Sequence, residues 1–181
     1  MHDELLQLSS ELLQLAGTKT GAEQEVTLRR SVSTAYYALF HLLTYETSAR
    51  LVAGTGEPAV TPRRRREVAR AFSHAQVRML CLAFSGWPGP SPTGPVQRTL
   101  AMVGTVAVPE DLGIVAWSFV ELHGRREWAD YDFTTAMPLG AATTYQQLAV
   151  EAFARWVVAS ATPEARLLLG LLPVYGSLER R

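Results

Sequence analysis

The chain has 181 residues, of which 48% are hydrophobic and 19% charged, a length and composition that indicate one globular domain rather than a disordered segment. Its 17 basic and 17 acidic residues give a formal net charge of zero, which excludes a uniformly basic nucleic-acid-binding surface and leaves only local patches. Because Cys81 is the only cysteine, an intrachain disulfide and a cysteine-based zinc site are also excluded.

The first half of the chain predicts three helices. The first covers residues 3–16, with Asp3 as its N-cap, and the second covers residues 22–52. Thr61 and Pro62 predict the start of a third helix, which runs to about Phe84, because threonine favours the N-cap and proline the first helical position. At helical spacing, the side chains expected to face the core are Leu5, Leu8, Leu12 and Leu15, then Leu28, Val32, Ala35, Leu39 and Leu43, then Val68, Phe72, Ala75, Met79 and Leu82.

The second half begins with a Pro/Gly-rich segment at residues 85–95, which predicts an extended loop. The helices expected after it are a short turn at residues 96–103, a main helix from Pro109 to the region of Arg126, a helix over residues 141–160, and a last helix capped by Thr162 that ends near Pro173. Their inward residues are Leu112, Ala116, Phe119, Tyr145, Leu148, Ala152 and Trp156. With no convincing strand or repeat, the sequence predicts one all-α bundle over residues 1–181.

A group of titratable residues continues the apolar face of the fourth main helix. His123, Arg126 and Asp130 follow its apolar stripe at helical spacing, so charge is carried toward the bundle interior. Buried charge is costly unless it is paired, so the group is either an ion pair that locks the helix end or a binding site. In a binding site Arg126 would bind phosphate, held by Asp130. Tyr131 and Asp132 fit two roles: they complete that pocket or they cap the helix.

A second candidate surface lies on the second helix, opposite its leucine face, and consists of Arg30, Thr34, Tyr37 and His41. Such a stripe fits a solvated face, and because Tyr37 is large and partly apolar it also fits a cleft or a partner helix. Imidazole titrates near neutral pH, which makes His41 the candidate for proton transfer, with His74 and His123 as competitors.

The third helix carries basic residues opposite its core stripe, namely Arg63, Arg66, Arg70 and His74. A solvated charged face and a patch that contacts an RNA backbone or another anion both fit this pattern. No Glu-x-x-His pair occurs and the histidines are scattered, so neither a metal nor a cofactor is expected.

Three segments together resemble one known family. They are RRSVSTAYYALFH at residues 29–41, RAFSH at residues 70–74 and REWADYD at residues 126–132. Their order and composition resemble the HEPN domain (higher eukaryotes and prokaryotes nucleotide-binding), in a bacterial branch with Tyr-Tyr-Ala and Arg…Ala-Asp-Tyr-Asp segments. The resemblance covers roughly residues 22–160 and implies an up-and-down bundle of four to six helices that forms a homodimer.

The resemblance also implies a function. Many HEPN proteins are metal-independent ribonucleases of toxin–antitoxin and antiviral defence systems, in which an arginine is followed after four to six residues by a histidine and two copies form a cleft. This chain departs from that signature, because with four intervening residues Arg126 is followed by Tyr131 and Arg125 is followed by Asp130. Neither side chain replaces a histidine poised near neutral pH, which weighs against endoribonuclease activity.

The resulting hypothesis is a HEPN-like homodimer that binds RNA, a nucleotide or another phosphate-bearing ligand in a bacterial toxin–antitoxin or defence system. A protein partner encoded nearby is expected, and the alternative is a non-catalytic interaction or dimerisation module. The candidate catalytic residues are Arg126, Asp130, Tyr131 and His41, and the candidate ligand contacts are Arg30, Tyr37, Arg125, Asp132, Arg63, Arg66, Arg70 and His74. The apolar segment LLLGLL at residues 167–172, which a small monomer would struggle to cover, also favours a dimer.

The cellular location of the protein is predicted from its first residues and from the length of its apolar runs. The acidic start MHDE lacks an apolar segment and predicts no secretory signal peptide, and no apolar run is long enough to cross a membrane. A cytoplasmic location is therefore expected. The chain has one lysine, one isoleucine and no asparagine, a bias that indicates a high-GC bacterial genome.

Overall fold

The computed structural model describes residues 1–52, 60–85, 95–102, 104 and 107–175, and all regular secondary structure in this part of the chain is helical. The helices are α1 (His2–Ala16), α2 (Gly21–Leu51), α3 (Val60–Arg70), α4 (His74–Phe84), α5 (Pro95–Met102), α6 (Glu110–Tyr131), α7 (Leu139–Ala159) and α8 (Pro163–Leu171). The all-α prediction is confirmed, whereas eight helices among the described residues exceed the four to six expected. Most of the predicted extended loop, residues 86–94, lies outside the described residues.

Helix α2 is the centre of the bundle and packs against α1, α3, α6, α7 and α8. Its predicted core stripe is confirmed, because Leu28, Val32 and Leu39 and the other members of that stripe are buried. The opposite face is also largely covered: Thr34, Tyr37 and His41 are half-buried, and only Arg30 of that stripe is exposed. A stripe expected to be solvated or to line one cleft is therefore partly covered by the neighbouring helices.

Helix α1 packs on α2 through a pair of serines, while Leu6 and Leu13 of α1 pack against the core. Ser9 Oγ donates to the Ser31 carbonyl at 2.9 Å, and Ser31 Oγ donates to the Ser9 carbonyl at 2.8 Å, an exchange that requires the two backbones to lie close together. The predicted stripe is wrong at Leu8 and Leu15, which are exposed. The helix also begins at His2, so Asp3 lies in its first turn and is not the N-cap.

The single helix predicted from Thr61 to Phe84 is two helices, α3 and α4, separated at residues 71–73. Ser73 starts α4 with a capping box: its Oγ accepts from the Gln76 amide at 3.2 Å, and Gln76 Oε1 accepts from the Ser73 amide at 3.4 Å. The break resets the helical phase. Ala75, Met79 and Leu82 are therefore exposed instead of inward, and the buried residues of α4 are Val77, Leu80, Cys81 and Phe84.

The C-terminal half follows its sequence pattern. Phe119 and the rest of the predicted α6 stripe are buried, as are Ala152 and Trp156 of α7. Thr162 caps α8 by accepting from the Ala165 amide at 3.1 Å. The apolar segment 167–172 is covered by the chain's own core, since Leu168 and Leu169 are fully buried, so its hydrophobicity no longer argues for a second copy. Among the described residues, no helix combines the length and the hydropathy that crossing a bilayer requires.

Candidate functional site

The C-terminal end of α6 and the first half of α2 form the most strongly connected polar region of the bundle. Its central residue is Arg29, which is 8% exposed. Arg29 Nη1 donates to the carbonyls of Trp128, Ala129 and Asp132 at 3.1, 3.2 and 2.6 Å. The last carbonyls of a helix have no helical partner, so this buried cation caps α6 and interacts favourably with the negative end of its dipole.

The same guanidinium also fixes the loop that follows α6. Arg29 Nη2 donates to the Thr135 carbonyl at 2.6 Å, and Arg29 Nε lies 2.6 Å from Glu25 Oε1. Both Glu25 carboxylate oxygens accept from the Met137 amide at 3.0 Å. Glu25 and Arg29 are thus structural residues, and neither belonged to the predicted site. Their i, i+4 spacing is visible in the sequence, but partners about 100 residues away are not.

Arg126 and Asp130 form the predicted ion pair, with Arg126 Nε 2.7 Å from Asp130 Oδ2. Arg126 Nη2 donates to the Tyr37 hydroxyl at 3.0 Å, and Ser33 Oγ donates to Asp130 Oδ1. The side chains of Arg126 and Asp130 are 17% and 21% exposed. Both members of the pair are therefore occupied by internal partners, which supports the helix lock over direct phosphate binding by Arg126.

An open cleft of about 410 Å³ lies beside this ion pair, between α2 and the end of α6. Tyr131 and Phe133 stand on its rim with 67% and 80% of their surfaces exposed. Arg30 also lines the cleft, is exposed, and has no carboxylate partner among the described residues. The guanidinium of Arg126 lies 5.3 Å from the Tyr131 ring centroid, and that of Arg29 lies 5.8 Å from the Phe133 centroid. Two accessible aromatic rings and an unpaired arginine thus share one cleft.

Two histidines belong to an aromatic cluster behind the ion pair. His74 Nδ1 lies 2.6 Å from the Tyr36 hydroxyl, and its ring centroid is 4.2 Å from that of Phe40. His123 is buried and packs edge-on against Tyr36 at 5.5 Å. Burial is the main cause that lowers the pKa of both imidazoles, and the positive charge of Arg126 acts in the same direction. His74 is therefore half-buried against core aromatic residues and does not belong to a solvent-exposed basic face with Arg63, Arg66 and Arg70.

The predicted catalytic set is only partly assembled. Arg126, Asp130 and Tyr131 are neighbours, but His41 lines a different cavity, between α2 and α3. None of the described residues that line the α2–α6 cleft is a histidine. Within the described chain there is also no group of three or more histidine, cysteine, aspartate or glutamate side chains placed to hold a metal ion.

The other predicted ligand contacts are distributed over the surface. Arg125 Nη2 lies 2.6 Å from Glu121 Oε1, and its guanidinium lies 5.1 Å from the Tyr145 ring centroid. Asp132 Oδ1 accepts from the side chain and the amide of Thr134, at 2.6 and 2.8 Å, and these bonds lower the pKa of its carboxyl. On α3, Arg63 pairs with Glu67 at 3.1 Å, Arg66 lines the cavity that contains His41, and Arg70 is exposed.

Comparison of this chain with protein-family models, with curated proteins and with solved structures finds no match. The resemblance to HEPN domains therefore stays a prediction that rests on the three sequence segments. The geometry does bring two of these segments together, since Tyr37 of the first contacts Arg126 of the third. This contact shows that the two segments form one structural unit, whatever that unit binds.

Proposed function

We propose that this chain binds a nucleotide unit, either free or within single-stranded RNA, in the cleft between α2 and the end of α6. The observation that supports the proposal is the pair of exposed rings, Tyr131 and Phe133, next to the unpaired Arg30. Bases stack on accessible aromatic rings with about 1–3 kcal/mol each, and an arginine fork suits a phosphate. One cleft thus offers a surface for a base and a cation for its phosphate.

The charges around the cleft are compatible with an anionic ligand. Asp130 is the only carboxylate among the described lining residues, and it is already paired with Arg126 and bonded to Ser33. Arg30 therefore provides the local positive charge that the zero net charge of the chain does not. The proposal concerns binding and not catalysis, because the described lining residues include no histidine to move a proton.

Fluorescence anisotropy with a labelled single-stranded RNA of about 12 nucleotides tests this proposal, since single-strand sites span roughly 4–16 nucleotides. Replacing both Tyr131 and Phe133 with alanine, or Arg30 with glutamine, should weaken binding by about tenfold or more, a loss of about 1.4 kcal/mol. Tyr131→Phe keeps the ring and should retain affinity. Arg64→Gln removes an exposed arginine outside the cleft and serves as the charge-matched control.

Competition by free adenosine monophosphate distinguishes a mononucleotide site from one that needs a longer strand. Duplex RNA of the same sequence should bind more weakly, because its bases are not free to stack. Equal affinity of the native protein and the Tyr131→Ala, Phe133→Ala double variant for the single strand would contradict the proposal.

On the HEPN resemblance we also place the chain, as part of this proposal, in a homodimer and in a bacterial toxin–antitoxin or defence setting with a protein partner encoded nearby. The second candidate function is the interaction or dimerisation module. It is favoured by Val150, Val157 and Val158 of α7, which follow a helical face and are exposed. A dimer formed through that face would bury these valines against a second copy.

A further inference from the structure

A second cavity, of about 420 Å³, lies between α2 and α3. Its lining includes His41, Thr44 and Tyr45 of α2 and Arg65 and Arg66 of α3. Along α2, a rise of about 1.5 Å per residue separates Tyr45 from Arg30 of the proposed nucleotide cleft by roughly 20 Å. The two cavities share no described lining residue, so this one calls for its own explanation. Its volume falls in the range of small-molecule pockets, about 300–1,000 Å³.

The hydroxyl side chains on the α2 wall of this cavity are uncharged and are bonded within α2. Thr44 Oγ1 donates to the Phe40 carbonyl at 2.9 Å, and Ser48 Oγ donates to the Tyr45 carbonyl at 2.8 Å. Both protons are therefore used inside the helix. The half-exposed ring of Tyr45 adds apolar surface to this wall, and Pro62 and Ala69 add more from α3.

The α3 wall is cationic. Arg65 is half-buried, and its Nε donates to the Val52 carbonyl at 3.2 Å, which fixes the base of its guanidinium and leaves the two terminal nitrogens for other partners. Neither Arg65 nor Arg66 has a carboxylate partner in the described part of the chain, whereas Arg63 on the same helix pairs with Glu67. An unpaired arginine pair at a cavity wall is suited to a carboxylate or a phosphate group.

His41 completes the lining between these walls. It is half-buried, and burial lowers the pKa of its imidazole, with the neighbouring His2 acting in the same direction. A neutral imidazole at pH 7 presents one donor and one acceptor and adds no charge. Met1 also lines the cavity, but its ammonium is paired with Glu4, so the unpaired positive charge of the described lining lies at Arg65 and Arg66. An anionic group is therefore expected to point toward these two arginines.

We propose that this cavity binds a small organic anion whose carboxylate or phosphate group meets Arg65 and Arg66 and whose apolar body lies against Tyr45, Pro62 and Ala69. Its ligand is a free metabolite-sized molecule rather than a strand of nucleic acid, because the described lining offers one exposed aromatic ring, Tyr45, and two adjacent unpaired arginines, too few groups for successive bases and phosphates. The proposal is independent of the nucleotide cleft. It also gives His41 a role in hydrogen bonding to a ligand, in place of the proton transfer predicted from the sequence.

Calorimetric titration with 2-naphthoate, 2-naphthyl phosphate and the uncharged 2-naphthamide tests the site. At least one anion should bind at least about tenfold more tightly than the amide, and the head group that binds identifies the source as an organic acid or a phosphate ester. The double variant Arg65→Gln, Arg66→Gln should lose that preference. Arg64→Gln, an exposed arginine of α3 outside the cavity, should bind like the native protein.

Arg66→Gln alone is the second variant, because Arg66 is exposed and makes no contact that folding needs, and it should weaken the anion by severalfold. Absence of binding by either anion, equal binding of the amide, or full affinity in the double variant would overturn the proposal. The Tyr131→Ala, Phe133→Ala variant, which can no longer stack a naphthyl ring in the nucleotide cleft, should keep the preference for the anion over the amide, because that preference belongs to this cavity. Failure of the nucleotide proposal and failure of this one are therefore distinguishable.

Discussion

At the scale of single residues, Arg29 makes the largest number of tertiary hydrogen bonds in this polar region. Its three guanidinium nitrogens make five hydrogen bonds, one to Glu25 and four to backbone carbonyls of α6 and the following loop. A buried arginine of this kind is not interchangeable with a neutral side chain of similar size, because removing it leaves both a carboxylate and several carbonyls without partners. Its neighbour Arg30 points to solvent and provides a natural comparison.

We expect Arg29→Met to lower the free energy of unfolding by about 3–5 kcal/mol, as for other broken buried ion pairs. Arg30→Met should change it by less than about 0.5 kcal/mol, because that side chain is exposed. Urea denaturation of both variants checks this. Equal losses in the two variants would show that Arg29 does not hold the end of α6.

The Arg126–Asp130 pair leads to a second prediction. Arg126→Ala leaves a largely buried carboxylate without its cation, so we expect a loss of about 2–3 kcal/mol in unfolding free energy. The double variant Arg126→Ala, Asp130→Ala should recover part of that loss, and the cycle gives the coupling. Arg125→Ala, which breaks the more exposed pair with Glu121, should cost less than about 1 kcal/mol. Unchanged stability of the Arg126→Ala variant would contradict the interpretation that the ion pair stabilises the end of α6.

The histidines predict how stability depends on pH. The pKa values of His41, His74 and His123 lie below the ordinary value in the folded chain, chiefly because burial disfavours the charged imidazole. In the unfolded chain these histidines have a pKa of about 6.5, so near and below that pH the unfolded chain binds more protons than the folded chain. Stability is therefore fully present above about pH 6.5 and falls as the pH decreases from there through the lower pKa values of the folded state. Unfolding free energies at pH 7.5 and 5.5 should show this fall, and His74→Gln with His123→Gln should reduce it. A flat profile would contradict it.

At the scale of elements, the break between α3 and α4 decides which side chains of this segment reach the core. A continuous helix would have carried the phase of Val68 and Phe72 on to Met79 and Leu82, but residues 71–73 interrupt it. The capping box at Ser73 starts α4 in a new phase, and Val77 and Cys81 become the buried residues. Burial also raises the pKa of the Cys81 thiol, as expected for a structural rather than a reactive cysteine.

Ser73→Ala should therefore destabilise the protein by about 1 kcal/mol, the usual contribution of an N-cap side chain. The proposed anion cavity lies on α3 and not on α4, so its affinity for naphthyl anions should not change. Thr144→Ala, an exposed position inside α7 whose hydroxyl bonds only to its own helix, is the control and should have a smaller effect. A loss no larger than that of the control would show that the cap does not fix the start of α4.

At the scale of the whole molecule, the main question is the homodimer that the family resemblance predicts. The apolar segment at residues 167–172 is covered within one chain, so the exposed valines of α7 are the remaining structural reason to expect a second copy. Scattered apolar side chains are common on protein surfaces, whereas several on one helix face mark a candidate contact.

Analytical ultracentrifugation at micromolar concentration should give twice the mass of the chain, and Val157→Glu should give the monomer, because a charge buried without a partner opposes association. Val174→Glu, at another exposed valine, should leave the dimer intact. A monomeric native protein would remove the dimer expectation, while leaving both proposed binding cavities unaffected.

The sequence by itself determined the helical class, the buried face of α2, the apolar stripe of α6 and the cap of α8. These features depend on periodicity and on neighbours within a few residues, which is the range over which helix formation and capping act. The i, i+4 pair of Arg126 and Asp130 was predictable for the same reason.

Only the tertiary structure decided which groups Arg29 binds and that His41 lies apart from Arg126. It also decided that the helix breaks before Ser73, which changes the residues of this segment that face the core. Each of these depends on how helices far apart in the chain pack together. Because α2 is covered on nearly every side, its polar residues were assigned partners by the surrounding helices α1, α3 and α6 rather than by their position on a helical wheel.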